Sequence, residues 1–252
     1  MRFDILTIFP DFFESPLKQS ILGKAVENRL VEVHIHDIRD FALNKHRTTD
    51  DYPYGGGEGM VMKAEPIVGA VESIKKALNH DVKVILTTPR GRQFNQQSAA
   101  ELARLNSLII ICGRYEGVDE RVKELVVDME VSVGDYILGG GETASMVIVD
   151  AISRLIPGVL GSAMSANDES FSRGLLEYPQ YTRPEYFRGS RVPEVLLSGN
   201  HREIKRWREK ESIRKTIENR PDLLEKIQLT EEEKSVISEL KKEDSKTKIQ
   251  NS

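Results

Sequence analysis

Residues 107–112 read SLIIIC, five apolar side chains in a row with no polar face to turn toward water. A strand of this kind is stable when both its faces are covered, as in a parallel sheet between two layers of helices. The flanking sequence supplies the sister strands and the helices. Short β-rich runs fall at 2–9, 31–36, 82–87 and 128–133. Segments with helical spacing lie at 11–29, 64–79, 95–105, 118–126 and 142–155; in 64–79 the apolar positions are Ile67, Val68, Val71, Ile74 and Leu78. Strands alternating with helices predict an α/β fold on a parallel sheet.

The pattern changes after Pro157-Gly158. Residues 161–172 (GSAMSANDESFS) are polar and aperiodic and read as a mobile linker. From 178 to 193 the chain is irregular and rich in Pro, Tyr and Arg. Helices are expected at 200–219, 222–227 and 230–242, the last opened by Thr230 and Glu233 in a capping-box pattern. The expected organisation is an α/β domain over 1–160, a linker over 161–172, a small helical domain over 173–242, and a polar, fraying tail over 243–252.

Five residues is far short of the roughly 20 that a membrane span needs, so no membrane partner is expected. The opening MRFDILTIFPDFF carries charge inside its apolar stretch and does not read as a secretory leader. Cys112 is the only cysteine, which excludes an intrachain disulfide and suits the reducing cytoplasm. The net charge of −4 argues against a histone-like binder but leaves room for a local basic patch.

Ten of the 18 glycines fall in three windows: YGGGEGM at 54–60, GRYEG at 113–117 and GDYILGGG at 134–141. The second directly follows the SLIIIC strand and the third follows the strand at 128–133. Glycine-rich loops at the carboxyl ends of parallel strands are where such folds hold ligands. No GxxxxGK[ST] is present, and no GxGxxG opens a helix after a strand, so neither a P-loop nor a dinucleotide fingerprint is available. The five histidines show no metal-ligand spacing, and His34 and His36 read as one solvated strand face. Cys112 reads as a small buried hydrophobe.

Taken together, the segments at 46–60 (HRTTDDYPYGGGEGM), 112–122 (CGRYEGVDERV), 132–142 (SVGDYILGGGE), 153–161 (SRLIPGVLG), 181–187 (YTRPEYF) and 195–208 (VLLSGNHREIKRWR) resemble one family in order, from Met1 to about Lys242. That family is the bacterial tRNA (guanine-N1)-methyltransferases, the TrmD family of the SPOUT superfamily. The resemblance implies a deep trefoil knot, a rare exception to ordinary chain topology, and an obligate homodimer. It also implies methyl transfer from S-adenosylmethionine to N1 of the guanine at tRNA position 37, with guanine at 36. The cofactor loops carry over to Leu86, Thr87, Thr88 and Pro89; to Gly113, Tyr115, Glu116 and Gly117; and to Val133, Gly134, Asp135, Tyr136, Ile137, Leu138, Gly140 and Gly141. The family's reaction is associated with Mg²⁺, but no motif here specifies a metal site.

N1 of guanine carries a proton, so methylation needs a base to remove it and a positive group to balance charge on O6. Arg154 matches the family's arginine. The family's base is an aspartate just before Ser-Phe. Counting from Gly161 without gaps places Glu169 there, with Asp168 one residue earlier, and Glu169 is preferred over Asp168 as base. A second departure is Glu142-Thr143-Ala144-Ser145 where the family has Glu-Leu-Pro-Ala, which is expected to loosen the end of the third loop. Arg114 is left open between RNA phosphate and a pairing with Glu116 or Asp119.

Residues 201–220 hold eight Lys or Arg and four acidic residues, whereas 221–252 hold six and eight. Localised basic charge is what phosphate contact requires. Arg183, Arg188, Arg191, Arg202, Lys205, Arg206 and Arg208 are the candidates, and Trp207 reads as core rather than as a base-stacking platform. The alternatives are a tRNA-binding module without chemistry and a related methyltransferase with another target.

Overall fold

The structure, a computed structural model, describes residues 1–161 and 169–250. It divides into two compact units, Met1–Ala163 and Met164–Ser252. In the first, five strands form one sheet in the order β2 (Glu32–Asp37), β1 (Arg2–Thr7), β6 (Ser107–Cys112), β5 (Lys83–Gln93), β7 (Met129–Ser132), every pair parallel. Two-residue strands β3 (Asp50–Asp51) and β4 (Val61–Met62) pair separately.

The apolar run of β6 is divided residue by residue between two cores. Leu108, Ile110 and Cys112 join Phe3, Ile5 and Ile85 beneath α1 (Ser20–Glu27), α3 (Gln96–Leu102) and α5 (Gly141–Ser153), which contribute Leu22, Leu102 and Ile148. Ile109 and Ile111 join Leu6, Val84 and Leu86 on the other face, beneath α2 (Ala64–Leu78) and α4 (Glu120–Val126), which contribute Ile67, Val71 and Val122. Strand periodicity sends neighbours to opposite faces, and each buried Leu or Ile contributes about 1.5–3 kcal/mol.

In the first unit two predicted elements differ. The helix expected over 11–29 is broken into 3₁₀ turns at Pro10–Phe13 and Pro16–Lys18 before α1 begins. Pro16 lacks the N–H a continuous helix would use there; Gln19 is extended and Ser20 has φ +56°. The strand expected to end at Thr87 runs on to Gln93. Thr87 and Arg92 both lie opposite Val131, so residues 88–91 form an excursion from the ladder. Pro89, which has no ladder donor, sits inside it.

At the sheet's other end, the fully buried Asp4 carboxylate receives Arg2 Nε at 2.7 Å and Nη2 at 2.8 Å, and lies 2.8 Å from His36 Nε2. His36 is therefore tied into the sheet rather than facing solvent with His34, because a buried carboxylate recruits any donor within reach. Burial pushes the Asp4 carboxyl up, but the bonds from Arg2 and His36 outweigh it and hold the group at about 2. A depressed value contributes stability that is intact above the unfolded value and drains as pH falls through the folded one, here about 2 kcal/mol between pH 4 and 2. Asp4→Asn should cost about 3 kcal/mol at pH 7, and its gap from the parent should narrow by about that 2 kcal/mol in urea titrations at pH 2.5.

The second unit contains a β8–β9 hairpin (Tyr186–Phe187 and Ser190–Arg191), a short α6 (Glu194–Leu197), α7 (His201–Asn219) and α8 (Glu231–Gln250). Asn200 caps α7 through Arg202 N and Glu203 N. The capping box at α8 is present: Glu233 N donates to Thr230 Oγ1 at 3.2 Å and Thr230 N to Glu233 Oε2 at 2.8 Å. The α8 backbone continues past Lys242, where the sequence reading ended it, because no Gly or Pro intervenes. Leu175, Ile213 and Leu240 form a small core with Ile217, Leu224 and Val236.

Candidate active site

At the carboxyl ends of β5, β6 and β7 the first unit encloses a cavity of about 410 Å³, within the range of small-molecule sites. Fifteen of the sixteen residues that sequence analysis assigned to the cofactor line it; Asp135 does not. The excursion at 88–91 brings Thr88 and Pro89 to the wall. Leu86, Val131, Ile137, Leu138 and Ala144 supply apolar surface, and Glu116 is the only carboxylate among the lining residues.

The two glycine-rich loops are fastened together. Gly141 N donates to Gly113 O at 2.8 Å. Arg114 Nε donates to Glu142 Oε2 at 2.8 Å and Nη1 to Gly139 O at 2.8 Å, while its guanidinium lies 4.5 Å from the Phe9 ring centre. Thr7 donates to the other oxygen of Glu142 at 2.7 Å, so a buried carboxylate is fully partnered. Arg114 is thus paired with neither Glu116 nor Asp119. The latter caps α4 and grips Arg121, whose bonds hold the Asp119 carboxyl below the usual range. The first glycine window packs here too: Met62 N donates to Gly117 O, Asp119 N to Met62 O and Glu116 N to Met60 O.

The loop end expected to be loosened by the missing proline is well tied. Helix α5 starts at Gly141, and Ser145 Oγ donates to Gly141 O at 2.8 Å and lies 3.1 Å from Cys112 Sγ. Cys112 is buried, as its sequence context suggested, and burial raises its thiol pKa.

Arg154 caps the far end of α5 with helical backbone, its N–H donating to Asp150 O at 3.1 Å. Glu169 belongs to the second unit, where it borders a second cavity of about 720 Å³ with Leu175, Tyr178, Ile204, Arg208 and Val236. Asp168 lies outside the described residues. Among the described residues no group of three His, Cys, Asp or Glu side chains is placed to hold a metal, and no helix is long and apolar enough to cross a membrane.

The family model described as tRNA (guanine-1)-methyltransferase TrmD matches residues 1–226. The chain belongs to the tRNA (guanine-1)-methyltransferase family. A curated relative from Citrifermentans bemidjiense, named tRNA (guanine-N(1)-)-methyltransferase, is 60% identical over 242 residues, covering 96% of this chain and 97% of its own. Relatives of the same name from Dictyoglomus turgidum and Geobacter sulfurreducens are 58% and 55% identical, each over 96% of this chain and 98% and 99% of their own.

For a member of this methyltransferase family, the residues missed by sequence reasoning are those that brace the loops. Glu142 and Thr7 carry no local signal, since their partners are distant in sequence. Arg90, Val118 and Ser132 also line the cavity. Of the basic residues singled out for phosphate contact, Arg191 is held by Glu185 and Glu194, and Lys205 lies 3.9 Å from Glu209. Arg202 and Arg206 have no ion-pair partner among the described residues. Trp207 is half-buried, its ring 6.3 Å from that of Tyr181.

Proposed function

We propose that this chain transfers the methyl group of S-adenosylmethionine to N1 of guanine 37 of tRNAs with guanine at 36, as a cytoplasmic homodimer with a SPOUT-type knot. The observation that carries the reading is the 410 Å³ cavity between braced glycine loops in a member of this family. Its residues fit the cofactor: apolar walls suit an adenine, loop amides suit ribose and carboxylate, and Glu116 suits a positive sulfonium. Bound there, S-adenosylmethionine supplies an electrophilic methyl group. The excursion at 88–91 needs a glycine where it returns to the sheet, since a Cβ on Gly91 would lie only 2.7 Å from Val131 C of β7; the knot itself rests on membership of the family.

The division of labour follows from chemistry and reach. Glu169 takes the N1 proton of the target guanine, and Arg154 balances the charge left on O6. Helix α5 begins at the cavity and Arg154 follows its last residue, 13 residues and about 20 Å along the axis. That span is too long for Arg154 to serve the cavity of its own chain. In the homodimer that the family resemblance implies, we assign it to the partner protomer's cavity. Arg202, Arg206 and Arg208 on α7 take the tRNA phosphates. Mg²⁺, with which the family's reaction is associated, has no side-chain cluster to hold it among the described residues; loss of turnover with EDTA and recovery with added Mg²⁺ would show that the reaction takes the ion from solution.

Gly141 gives the reading a local test. A Cβ there would lie 2.7 Å from Cys112 Cα and 2.8 Å from Gly113 N, both backbone atoms that cannot swing aside. Gly141→Ala should cost about 1–3 kcal/mol of stability and weaken S-adenosylmethionine binding about tenfold or more in calorimetric titration.

The decisive assay is transfer of labelled methyl to unmodified tRNA transcripts, one with guanines at 36 and 37 and one with adenine at 37. The expected product is 1-methylguanosine from the first transcript only. Cofactor binding with no product from either would instead favour a tRNA-binding module.

A further inference from the structure

The stretch 169–177 is folded upon itself. Ser172 N and Oγ both donate to Glu169 O, at 3.2 and 2.7 Å. Phe171 N donates to Leu175 O at 2.8 Å, Gly174 N to Phe171 O at 3.2 Å, and Glu177 N to Ser170 Oγ at 3.0 Å. This turn is fastened to α7 through both backbone groups of Leu176. Its N–H donates to Thr216 Oγ1 at 2.9 Å, and its carbonyl accepts from Ser212 Oγ at 2.5 Å. Thr216 is fully buried, and its hydroxyl also donates to Ser212 O at 2.8 Å. Beside it, Leu175 is buried against Ile213, one turn before Thr216 on α7. A backbone group clamped at both its donor and its acceptor, next to a buried anchor, has little freedom.

We propose that Thr216, assisted by Ser212, is a positioning residue for the catalytic carboxylate: it locks the turn that begins at Glu169 onto α7, so that the base moves as one body with the helix bearing Arg202, Lys205, Arg206 and Arg208. This inference rests on the assignment of Glu169 as base. Phosphate contact by α7 and delivery of the proton acceptor then become a single event. Loosening the clamp leaves the basic side chains in place but blurs the carboxylate, and a misplacement of about 1 Å can cost about 100-fold in rate.

The test compares Thr216→Val, Thr216→Ser, Ser212→Ala and Glu169→Gln, and the Thr216→Val/Glu169→Gln double variant, in the full-length enzyme. Saturating S-adenosylmethionine and varied tRNA separate kcat from KM. Thr216→Val should lower kcat about tenfold or more with KM for tRNA little changed, Thr216→Ser should restore it, and Ser212→Ala should fall in the same direction. In the Glu169→Gln background, Thr216→Val should have no further effect, because the group it positions is already disabled. An equal fold-loss in both backgrounds, or a loss confined to KM, would overturn the inference. Should Thr216→Val fail to fold, Ser212→Ala in the same two backgrounds decides by the same criterion. Wild-type turnover by Glu169→Gln would instead remove the base assignment itself, a result distinct from additivity in an enzyme that needs Glu169.

Discussion

Glu169→Ala should lower single-turnover methylation of a guanine-37 transcript by about 10²–10⁴-fold, the usual contribution of a positioned general base. Asp168→Ala should stay within a few-fold of the parent. N1 of guanine cannot attack while it carries its proton, and neither an amide nor a methyl group can take that proton away. Glu169 stands immediately before Ser170-Phe171, the position to which the resemblance assigns the base, and its extra methylene gives longer reach than an aspartate. Glu169→Asp keeps a proton acceptor but withdraws it by one methylene, so it should recover only part of the activity that Glu169→Ala loses. The opposite pattern, with Asp168→Ala inactive and Glu169→Ala near the parent, would reassign the base.

The second large effect is at Arg154. Arg154→Ala should cut turnover by about 10²–10³-fold, the loss typical of a group that stabilises a developing oxyanion, with S-adenosylmethionine affinity unchanged because the cavity is at the other end of α5. Arg154→Lys should recover part of the rate, keeping charge without the guanidinium fork. The length of α5 adds a sharper expectation. Arg154→Ala protomers keep an intact cavity, and Gly141→Ala protomers keep an intact arginine. Mixed and allowed to exchange subunits, at a cofactor concentration where Gly141→Ala alone is silent, the two should regain turnover that neither has. No recovery on verified heterodimer formation would place Arg154 at its own chain's site.

Much of the first unit was legible because burial leaves a simple mark. The run 108–112 announces two cores, and the spacing of Ile67, Val71 and Ile74 announces one helix face. The third glycine window was legible for a steric reason: at Gly141 an added Cβ would lie 2.7 Å from Cys112 Cα and 2.8 Å from Gly113 N, so only glycine fits. What stayed hidden depended on distance or on interruption. Arg114 and Glu142 are 28 residues apart, and Asp4 and His36 are 32 apart. No local pattern pairs them. Phe13 and Leu17 keep helical spacing across Pro16, as do Leu22 and Val26 within α1, and all four pack on one core although the backbone breaks between the pairs, since apolar spacing reports the face and not the continuity. The far half of β5 escaped because TTPRGRQ has neither alternation nor an apolar run. Thr216 was invisible for a different reason, as a lone threonine in a charged helix says nothing about which main-chain group it holds.

Cys112 turns the molecule into its own clock. Its thiol ends β6 beneath the Gly113–Gly141 contact, buried and protonated, so a thiol reagent reacts only when the sheet opens at that point. The rate of labelling under native conditions then counts openings of the layer that forms the cavity floor. A ligand that binds only the closed form slows that count in step with the ratio of its concentration to its dissociation constant, by about 100-fold when that ratio is about 100. Cofactor occupancy could thus be timed with a colorimetric reagent, with no tRNA present and no methyl group transferred.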